Sequence, residues 1–308
     1  MNEPAYIKLG EQSLQAKTEQ AVKAMSCCTL CPRRCKADRN SGETGFCQTG
    51  KKAVVASFNA HFGEEAPLVG NNGSGTIFFT HCNLLCNFCQ NYEISHLGDG
   101  SAVTDRQLAD IMLRLQSMGC HNINFVTPSH VVPQILGATL LAARQGLSIP
   151  LVYNTGGYDL VETLKLLDGV IDIYMPDFKF WDETIAEQTC NAKDYRQVAC
   201  GALKEMYRQV GDLKIDEKGL AYRGLLVRHL VLPGGLAGTR QVMRFIALEI
   251  SQQTYVNIMP QYHPCGLAHE TPSLSKPLEA KTYHEALQVA VEEGITRLDD
   301  RRPLIFRR

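Results

Sequence analysis

The sequence has no excess of charge of either sign and no long apolar run. Its 31 Lys and Arg residues nearly balance its 32 Asp and Glu residues, so the overall charge does not favour nucleic acid as a partner. No apolar run approaches the roughly 20 residues of a membrane-spanning helix. Residues 1–6 lack the basic and then apolar pattern that begins a signal peptide. We therefore expect a cytoplasmic protein that binds neither nucleic acid nor a membrane.

Cysteine, in contrast, is abundant, with 12 among the 308 residues. A chain without an export signal is expected to stay in a reducing compartment, and its cysteines then favour metal binding over disulfides. The hydrophobic content of 44% and the charged content of 20% are ordinary for a globular protein. The length allows one large α/β domain with an extension.

Three cysteines lie within eight residues, directly after an apolar segment that predicts a β-strand over residues 76–80. Cys82, Cys86 and Cys89 have the spacing C-x3-C-x2-C. Three thiolates can hold three irons of a [4Fe–4S] cluster and leave the fourth iron without a protein ligand. An open coordination position is typical of a catalytic metal site, whereas a closed ligand set is typical of a structural one.

Zinc binding and a disulfide are the two alternatives to a cluster for this motif. Zinc sites usually close with four ligands, and the nearest other candidates, His81 and His96, do not lie at a matching spacing. A disulfide would leave one of the three clustered cysteines unpaired. Both alternatives are therefore less favoured than the cluster.

The cysteine spacing, Phe88 just before the last cysteine and the preceding strand resemble the radical S-adenosylmethionine (SAM) superfamily. The resemblance implies that SAM chelates the open iron through its amino and carboxylate groups. It also implies that an electron from the reduced cluster cleaves SAM to methionine and a 5′-deoxyadenosyl radical, which abstracts a hydrogen atom. An electron donor such as flavodoxin or ferredoxin is then expected as a partner.

A second group of cysteines precedes this motif. Cys28, Cys31, Cys35 and Cys47 have the spacing C-x2-C-x3-C-x11-C and predict a metal site. Four thiolates serve equally for zinc and for a second iron–sulfur cluster, so both remain open. Cys27 adjoins Cys28, but the C-x2-C spacing favours Cys28 as the ligand.

The chain divides into an extension over residues 1–74 and a core domain over residues 75–308. In the extension we expect a helix over 9–25, the cysteine-rich segment, a strand over 53–58 and a long loop over 59–74. The basic residues beside the cysteines are expected to form a solvated face; they are Arg33, Arg34, Lys36 and Arg39. The basic and apolar segment 301–308 is expected to pack on the base of the core.

Apolar runs alternate with helical periods throughout the core domain. Strands are predicted over 76–80, 122–126, 150–154, 171–175, 225–230 and 255–259. Helices are predicted over 104–118, 132–145, 158–167, 194–210, 239–252 and 278–293, and Thr104 with Gln107 fits a capping box. A full eightfold barrel needs about 250 residues. We therefore predict an α/β fold, a partial open (β/α)6 barrel of the radical SAM type.

Polar residues follow each predicted strand, where parallel α/β folds place their sites. The core resembles the pyruvate formate-lyase activating-enzyme branch of the superfamily. The SAM contacts that this resemblance implies fall on Asn154, Thr155, Asp177, Lys179, Arg228 and His263. Lys179 and Arg228 suit the SAM carboxylate, and Asp177 suits a ribose hydroxyl or the ammonium group.

One segment departs from the branch. The branch has Gly-Gly-Glu-Pro after the second strand, whereas this chain has Thr-Pro-Ser-His over 127–130, where backbone carbonyls or the Ser129 hydroxyl would replace the contact to the SAM amino group. The leading cysteines together with this segment resemble the activating-enzyme-related (PflX-like) subgroup. The expected substrate is a glycyl residue of a partner protein. The alternative substrates are another peptide or a small molecule. The alternative to an enzyme is a non-catalytic Fe–S protein that carries electrons or senses oxygen.

Overall fold

A computed structural model describes residues 2–299, and its named strands form one ten-stranded sheet. The strands are β1 (Ala53–His61), β2 (Ser74–Phe79), β3 (Ser101–Val103), β4 (Ile123–Val126), β5 (Leu151–Thr155), β6 (Ile173–Pro176), β7 (Lys214–Ile215), β8 (Ala221–Leu230), β9 (Tyr255–Met259) and β10 (Arg297–Leu298). The helices are α1 (Ala5–Leu9), α2 (Glu11–Lys23), α3 (Ala66–Val69), α4 (Tyr92–Ser95), α5 (Asp105–Ser117), α6 (Val132–Ala143), α7 (Val161–Leu166), α8 (Glu183–Cys190), α9 (Tyr195–Val210), α10 (Thr239–Phe245) and α11 (Ala280–Glu292). A π-helical turn, Ile246–Ile250, continues α10.

The sheet is parallel over most of its width. The order is β10-β9-β8-β6-β5-β4-β2-β1-β3, and each neighbouring pair in this order from β2 to β10 is parallel. The two-residue strand β7 lies off this path and pairs antiparallel with β8. Within the described residues β10 and β3 are the two edges, so the sheet stays open. The predicted open barrel is confirmed, and all six predicted core strands are present. The two-residue strand β10 adds a seventh parallel strand that is too short to be recognised from its sequence.

The strand predicted over 53–58 is present and pairs with the core. β1 runs antiparallel to β2 and to β3, with Val55 opposite Phe79 and His61 opposite Ser74. The prediction of one long loop over 59–74 is wrong, because β1 continues to His61 and α3 occupies part of the remainder. The predicted extension and core therefore share one hydrogen-bonded sheet.

The predicted helices form with small differences at their ends. The start of α5 is fixed as expected: Thr104 Oγ1 accepts from the Gln107 N–H at 3.2 Å, and the Thr104 N–H donates to Gln107 Oε1 at 2.9 Å. Leu108, Met112 and Leu115 then recur at helical spacing and are fully buried against the sheet.

The N-terminal helices are hydrogen-bonded to the amino ends of the parallel strands. The Asp172 carboxylate accepts from the Ala5 N–H at 2.7 Å and from the Leu151 N–H at 2.9 Å. Burial raises the pKa of Asp172 to about 6, and the two N–H groups oppose this rise. Leu14 and Ala21 on α2 are buried, as the helical pattern predicts.

Within residues 2–299, no helix combines the length and the apolar character that a bilayer span requires. The segment 301–308, which we expected to pack on the base of the core, lies outside the described residues.

Candidate active site

An open cavity of about 400 Å³ lies where the parallel strands end. Residues at or just beyond the carboxyl ends of β2, β4, β5, β6, β8 and β9 form its walls. Eight residues singled out in the sequence line it, and these are Cys82, Cys86, Cys89, Asn154, Thr155, Asp177, Lys179 and Arg228. The structure therefore brings the cysteine motif and most of the predicted SAM-contacting residues to one place.

The cysteine motif forms a tight loop between β2 and α4. Leu85 has a left-handed backbone with φ of 53°, which turns the chain between Cys82 and Cys86. The Leu84 N–H donates to Cys82 Sγ at 3.3 Å, and the Ser95 hydroxyl donates to Cys89 Sγ at 3.2 Å. Such donors stabilise thiolate sulfur and are common around metal-bound cysteines.

Burial controls the protonation of these thiols. It raises the pKa of Cys82 to about 12 and raises the pKa of Cys89, where the Ser95 hydroxyl opposes the shift. A metal ligates the thiolate, so metal binding must release these protons. The positive charge of Lys179 acts on Cys89 in the same direction as a metal and favours the thiolate.

A fourth cysteine lies beside this loop. Cys190 is the last residue of α8 and is buried, and its thiol contacts that of Cys86. Its S–H also donates to the Ala186 carbonyl at 3.1 Å. No sequence signal predicts this proximity, because about a hundred residues separate Cys190 from the motif.

Opposite the cysteines, a network of charged side chains covers the strand ends. Arg228 donates through Nε to Asp177 Oδ1 at 2.8 Å and through Nη2 to Asn154 Oδ1 at 2.6 Å. Lys179 donates through Nζ to Asp177 Oδ2 at 2.6 Å. The network joins the ends of β5, β6 and β8 and places two cations and one carboxylate at the same cavity wall.

The charges in this network hold one another ionised. Burial raises the pKa of Asp177, but Arg228 and Lys179 outweigh it, so the pKa stays below its usual value. Burial lowers the pKa of Lys179, and the Asp177 carboxylate more than compensates, so that pKa is raised. Lys179 and Arg228 therefore remain cationic at the cavity wall, where they suit the carboxylate of an amino acid.

Glu64 completes the network and was not predicted. Its Oε2 lies 3.4 Å from Arg228 Nη1, and the side chain lines the cavity. Burial raises the pKa of Glu64 to about 7, although Arg228 opposes the rise and Glu65 adds to it. Glu65 is also buried and accepts from Asn257 Nδ2 at 2.7 Å.

In the Thr-Pro-Ser-His segment, Thr127 lines the cavity, whereas Ser129 and His130 do not. Thr127 lines the cavity with a left-handed φ of 61°, which is strained for a β-branched residue. Ser129 does not line it and instead lies behind, with Oγ 3.0 Å from Thr155 Oγ1. His130 is buried, and its Nε2 lies 2.9 Å from the Thr80 carbonyl. Ser129 thus supports Thr155, and Thr127 faces the cavity.

His263 is not brought to the cavity. It is exposed, and its Nδ1 lies 3.2 Å from the carbonyl of Gln261, which lines the cavity in its place. The physical reason is the irregular chain after β9, whose direction strand order does not determine. His229 follows Arg228 on β8 and does not line the cavity; it is buried, with Nδ1 2.7 Å from the Phe178 carbonyl.

The three thiols of the motif are the donor set that a [4Fe–4S] cluster requires. Within the described residues no three His, Cys, Asp or Glu side chains converge closely enough to hold one metal ion. The thiolates of a cubane bind separate irons and are therefore farther apart than the ligands of one zinc. Cys82, Cys86 and Cys89 nonetheless share one cavity, so their arrangement fits three corners of a cluster.

The second group of cysteines also comes together. Cys28, Cys31, Cys35 and Cys47 surround a small enclosed space beside the sheet. Among the basic residues near them, Arg34 and Lys36 are exposed as expected, whereas Arg33 and Arg39 are not. Arg39 is 1% exposed and Arg33 is half-buried, because the carbonyl groups of the core provide their hydrogen-bond partners.

Residues 76–212 match the model of the radical SAM superfamily. The chain is 29% identical over 307 residues to the uncharacterized protein MJ0674 of Methanocaldococcus jannaschii, a match that covers 97% of this chain and 84% of that protein. Among solved structures, it is similar to HydG, a maturase of the [FeFe]-hydrogenase, with a TM-score of 0.48 and 13% identity. That match covers 71% of this chain and 49% of the HydG chain, so the chain spans about half of that protein.

Proposed function

We propose that this chain, whose residues 76–212 match the radical SAM superfamily, is a radical SAM enzyme. One observation carries the proposal: the C-x3-C-x2-C motif and the Arg228–Asp177–Lys179 network line the same cavity. Cys82, Cys86 and Cys89 would hold a [4Fe–4S] cluster that supplies, when bound, the electron for reductive cleavage of SAM.

The remaining residues of the cavity would bind and orient SAM. Lys179 and Arg228 offer fixed cationic donors for its carboxylate. Asp177 stays ionised and suits the ribose hydroxyls or the ammonium group. Asn154 and Thr155, at the end of β5, would complete the contact, and Ser129 would hold Thr155 in place. No contact is assigned to His263.

For the substrate we propose a glycyl residue of a partner protein, as in the activating-enzyme branch and its PflX-like subgroup. The support is the match of Asp177, Lys179 and Arg228 to the positions that the branch uses. A flavodoxin or ferredoxin would supply the electron. The competing substrate is another peptide or a small molecule.

The test uses protein reconstituted with iron and sulfide without oxygen, reduced with dithionite and mixed with SAM. The proposed enzyme forms 5′-deoxyadenosine, and Cys86→Ala abolishes it. If candidate substrates carry deuterium, its transfer into 5′-deoxyadenosine identifies the group that loses hydrogen. A full cluster without SAM binding or cleavage would instead support the non-catalytic electron carrier or oxygen sensor.

A further inference from the structure

We infer that Cys28, Cys31, Cys35 and Cys47 hold a second iron–sulfur cluster, fully ligated by protein, rather than zinc. The four side chains come from one turn-rich segment and surround an enclosed space that Arg39 and His130 also border. The inference does not depend on the proposed function, since it concerns a different set of ligands.

The chain around these cysteines is built to place donors on their sulfurs. The Phe46 N–H donates to Cys35 Sγ at 3.3 Å, and Arg39 Nη1 lies 3.9 Å from Cys28 Sγ. Two of the four sulfurs thus have a donor within hydrogen-bond distance, an arrangement that stabilises metal-bound thiolate.

Gly45 is required for this arrangement. A Cβ atom at Gly45 would lie 2.6 Å from Cys35 Sγ, closer than real contacts allow. The glycine lets the backbone before Phe46 approach the sulfur, so that the Phe46 N–H can reach it. A loop of free thiols would not need so close an approach.

Arg39 shows that the site carries negative charge. The guanidinium is 1% exposed, and its other donors go to the carbonyls of Gly50 and His130 at 2.9–3.0 Å. Among residues 2–299, no carboxylate forms an ion pair with it. A buried cation is costly without an opposite charge. Metal-bound thiolates would supply that charge beside it.

The width of the enclosed space favours a cluster over zinc. Its free volume is about 10 Å³, which is about the smallest free volume that holds one water molecule. Zinc lies about 2.3 Å from each thiolate sulfur, which leaves no room for water among four of them. The thiolates of a cluster bind different irons and therefore surround a wider space than the four ligands of one zinc.

The first experiment counts metal and sulfide in the full chain after anaerobic reconstitution. With both clusters present, we expect about eight irons and about eight sulfides per chain and little zinc. Cys82→Ala/Cys86→Ala/Cys89→Ala should retain about four irons and the spectrum of a reducible cluster. Cys31→Ser/Cys35→Ser should also retain about four, while Cys27→Ser, the adjacent exposed cysteine, should keep all of them.

About four irons with one zinc in the wild-type chain would overturn the cluster, and about four irons with no other metal would overturn the site. These counts on wild-type protein stand even if a cysteine variant fails to fold. SAM cleavage is read separately, so a failure of the proposed function and a failure of this inference give different results.

A second experiment uses the reduction potential. Removing the buried cation with Arg39→Gln should make the midpoint potential of the second cluster more negative, because a nearby positive charge favours the reduced state. Arg39→Lys should restore part of the shift, and Arg34→Gln, at an exposed neighbour, should cause none. An unchanged potential in Arg39→Gln would contradict the placement of a cluster beside Arg39.

Discussion

Arg228 on β8 donates through Nε to Asp177 Oδ1, just beyond β6, at a distance of 2.8 Å. This ion pair lies at the wall of the cavity that also holds Cys82, Cys86 and Cys89. Its two members come from neighbouring parallel strands and are both largely buried. The pair therefore fixes the charge pattern that SAM would meet beside the cysteine motif.

Arg228→Lys should weaken SAM binding by about 10-fold to 100-fold, because lysine cannot bond Asp177 and Asn154 together and charged hydrogen bonds contribute about 1.5–3 kcal/mol. The measurement is equilibrium dialysis of SAM against reconstituted protein. Arg223→Lys, on the same strand but bonded to the Gln209 carbonyl, is the control. Equal affinity in Arg228→Lys and wild type would remove Arg228 from the SAM site.

Glu64 should make the stability of the cofactor-free protein depend on pH. Burial raises its pKa from 4.5 to about 7, so the folded state keeps a proton that the unfolded chain has lost. This contribution to the free energy of unfolding is present below about pH 4.5 and is lost as the pH rises through about 7.

Glu64→Gln should therefore lessen the fall in stability between these pH values, measured by urea denaturation at each end of the range. Glu187→Gln, at an exposed position on α8, is the control and should follow wild type. The same pH profile in Glu64→Gln and wild type would show that Glu64 does not retain the proton.

Arg33 should stabilise the junction between the two cysteine segments. It donates to the Asn83 carbonyl at 2.9 Å, to the Cys190 carbonyl at 2.8 Å and to the Asn191 carbonyl. Arg33→Lys should lower the free energy of unfolding by about 1–3 kcal/mol, since these carbonyls lose donors. It should also speed hydrogen exchange in the loop around Asn83.

Arg34→Lys provides the matched control, because Arg34 is exposed and only approaches Glu162 at 3.9 Å. The two variants remove the same chemical group from adjacent positions. If they destabilise the protein equally, the contacts of Arg33 with the core do not contribute as described.

The capping box of α5 gives a simpler test of local stability. Thr104→Ala removes the acceptor for the Gln107 N–H and should cost about 1 kcal/mol in chemical denaturation. Thr184→Ala, at an exposed residue of α8, should have a smaller effect. No difference between them would mean that the cap does not limit the stability of this helix.

The sequence predicted the parts of the site that follow from strand order. Asp177, Lys179 and Arg228 come directly from core strands, and parallel strands end at one edge, so their meeting was foreseeable. Glu64 was missed because the antiparallel strand β1 carries it to that edge, and an apparent loop gave no such signal. His263 follows β9 in an irregular segment, and strand order does not predict where residues of such a segment lie.

The N-terminal segment shows a different limit. The spacing of its cysteines predicted a metal site, but composition alone suggested that Arg39 was solvated. Long charged side chains are rarely fully buried, so that expectation follows the usual rule. The partners that bury Arg39 include the His130 carbonyl, about ninety residues away, which no local pattern reveals.

Cleavage of SAM in this cavity can be tested by comparing the wild type with one cysteine variant. Reconstituted wild-type protein and Cys86→Ala are reduced without oxygen, mixed with SAM and analysed for 5′-deoxyadenosine. We expect product from the wild type and none from the variant. If a wild-type chain with a complete cluster forms no product, or if Cys86→Ala forms as much, the assignment of this cavity to radical SAM chemistry is contradicted.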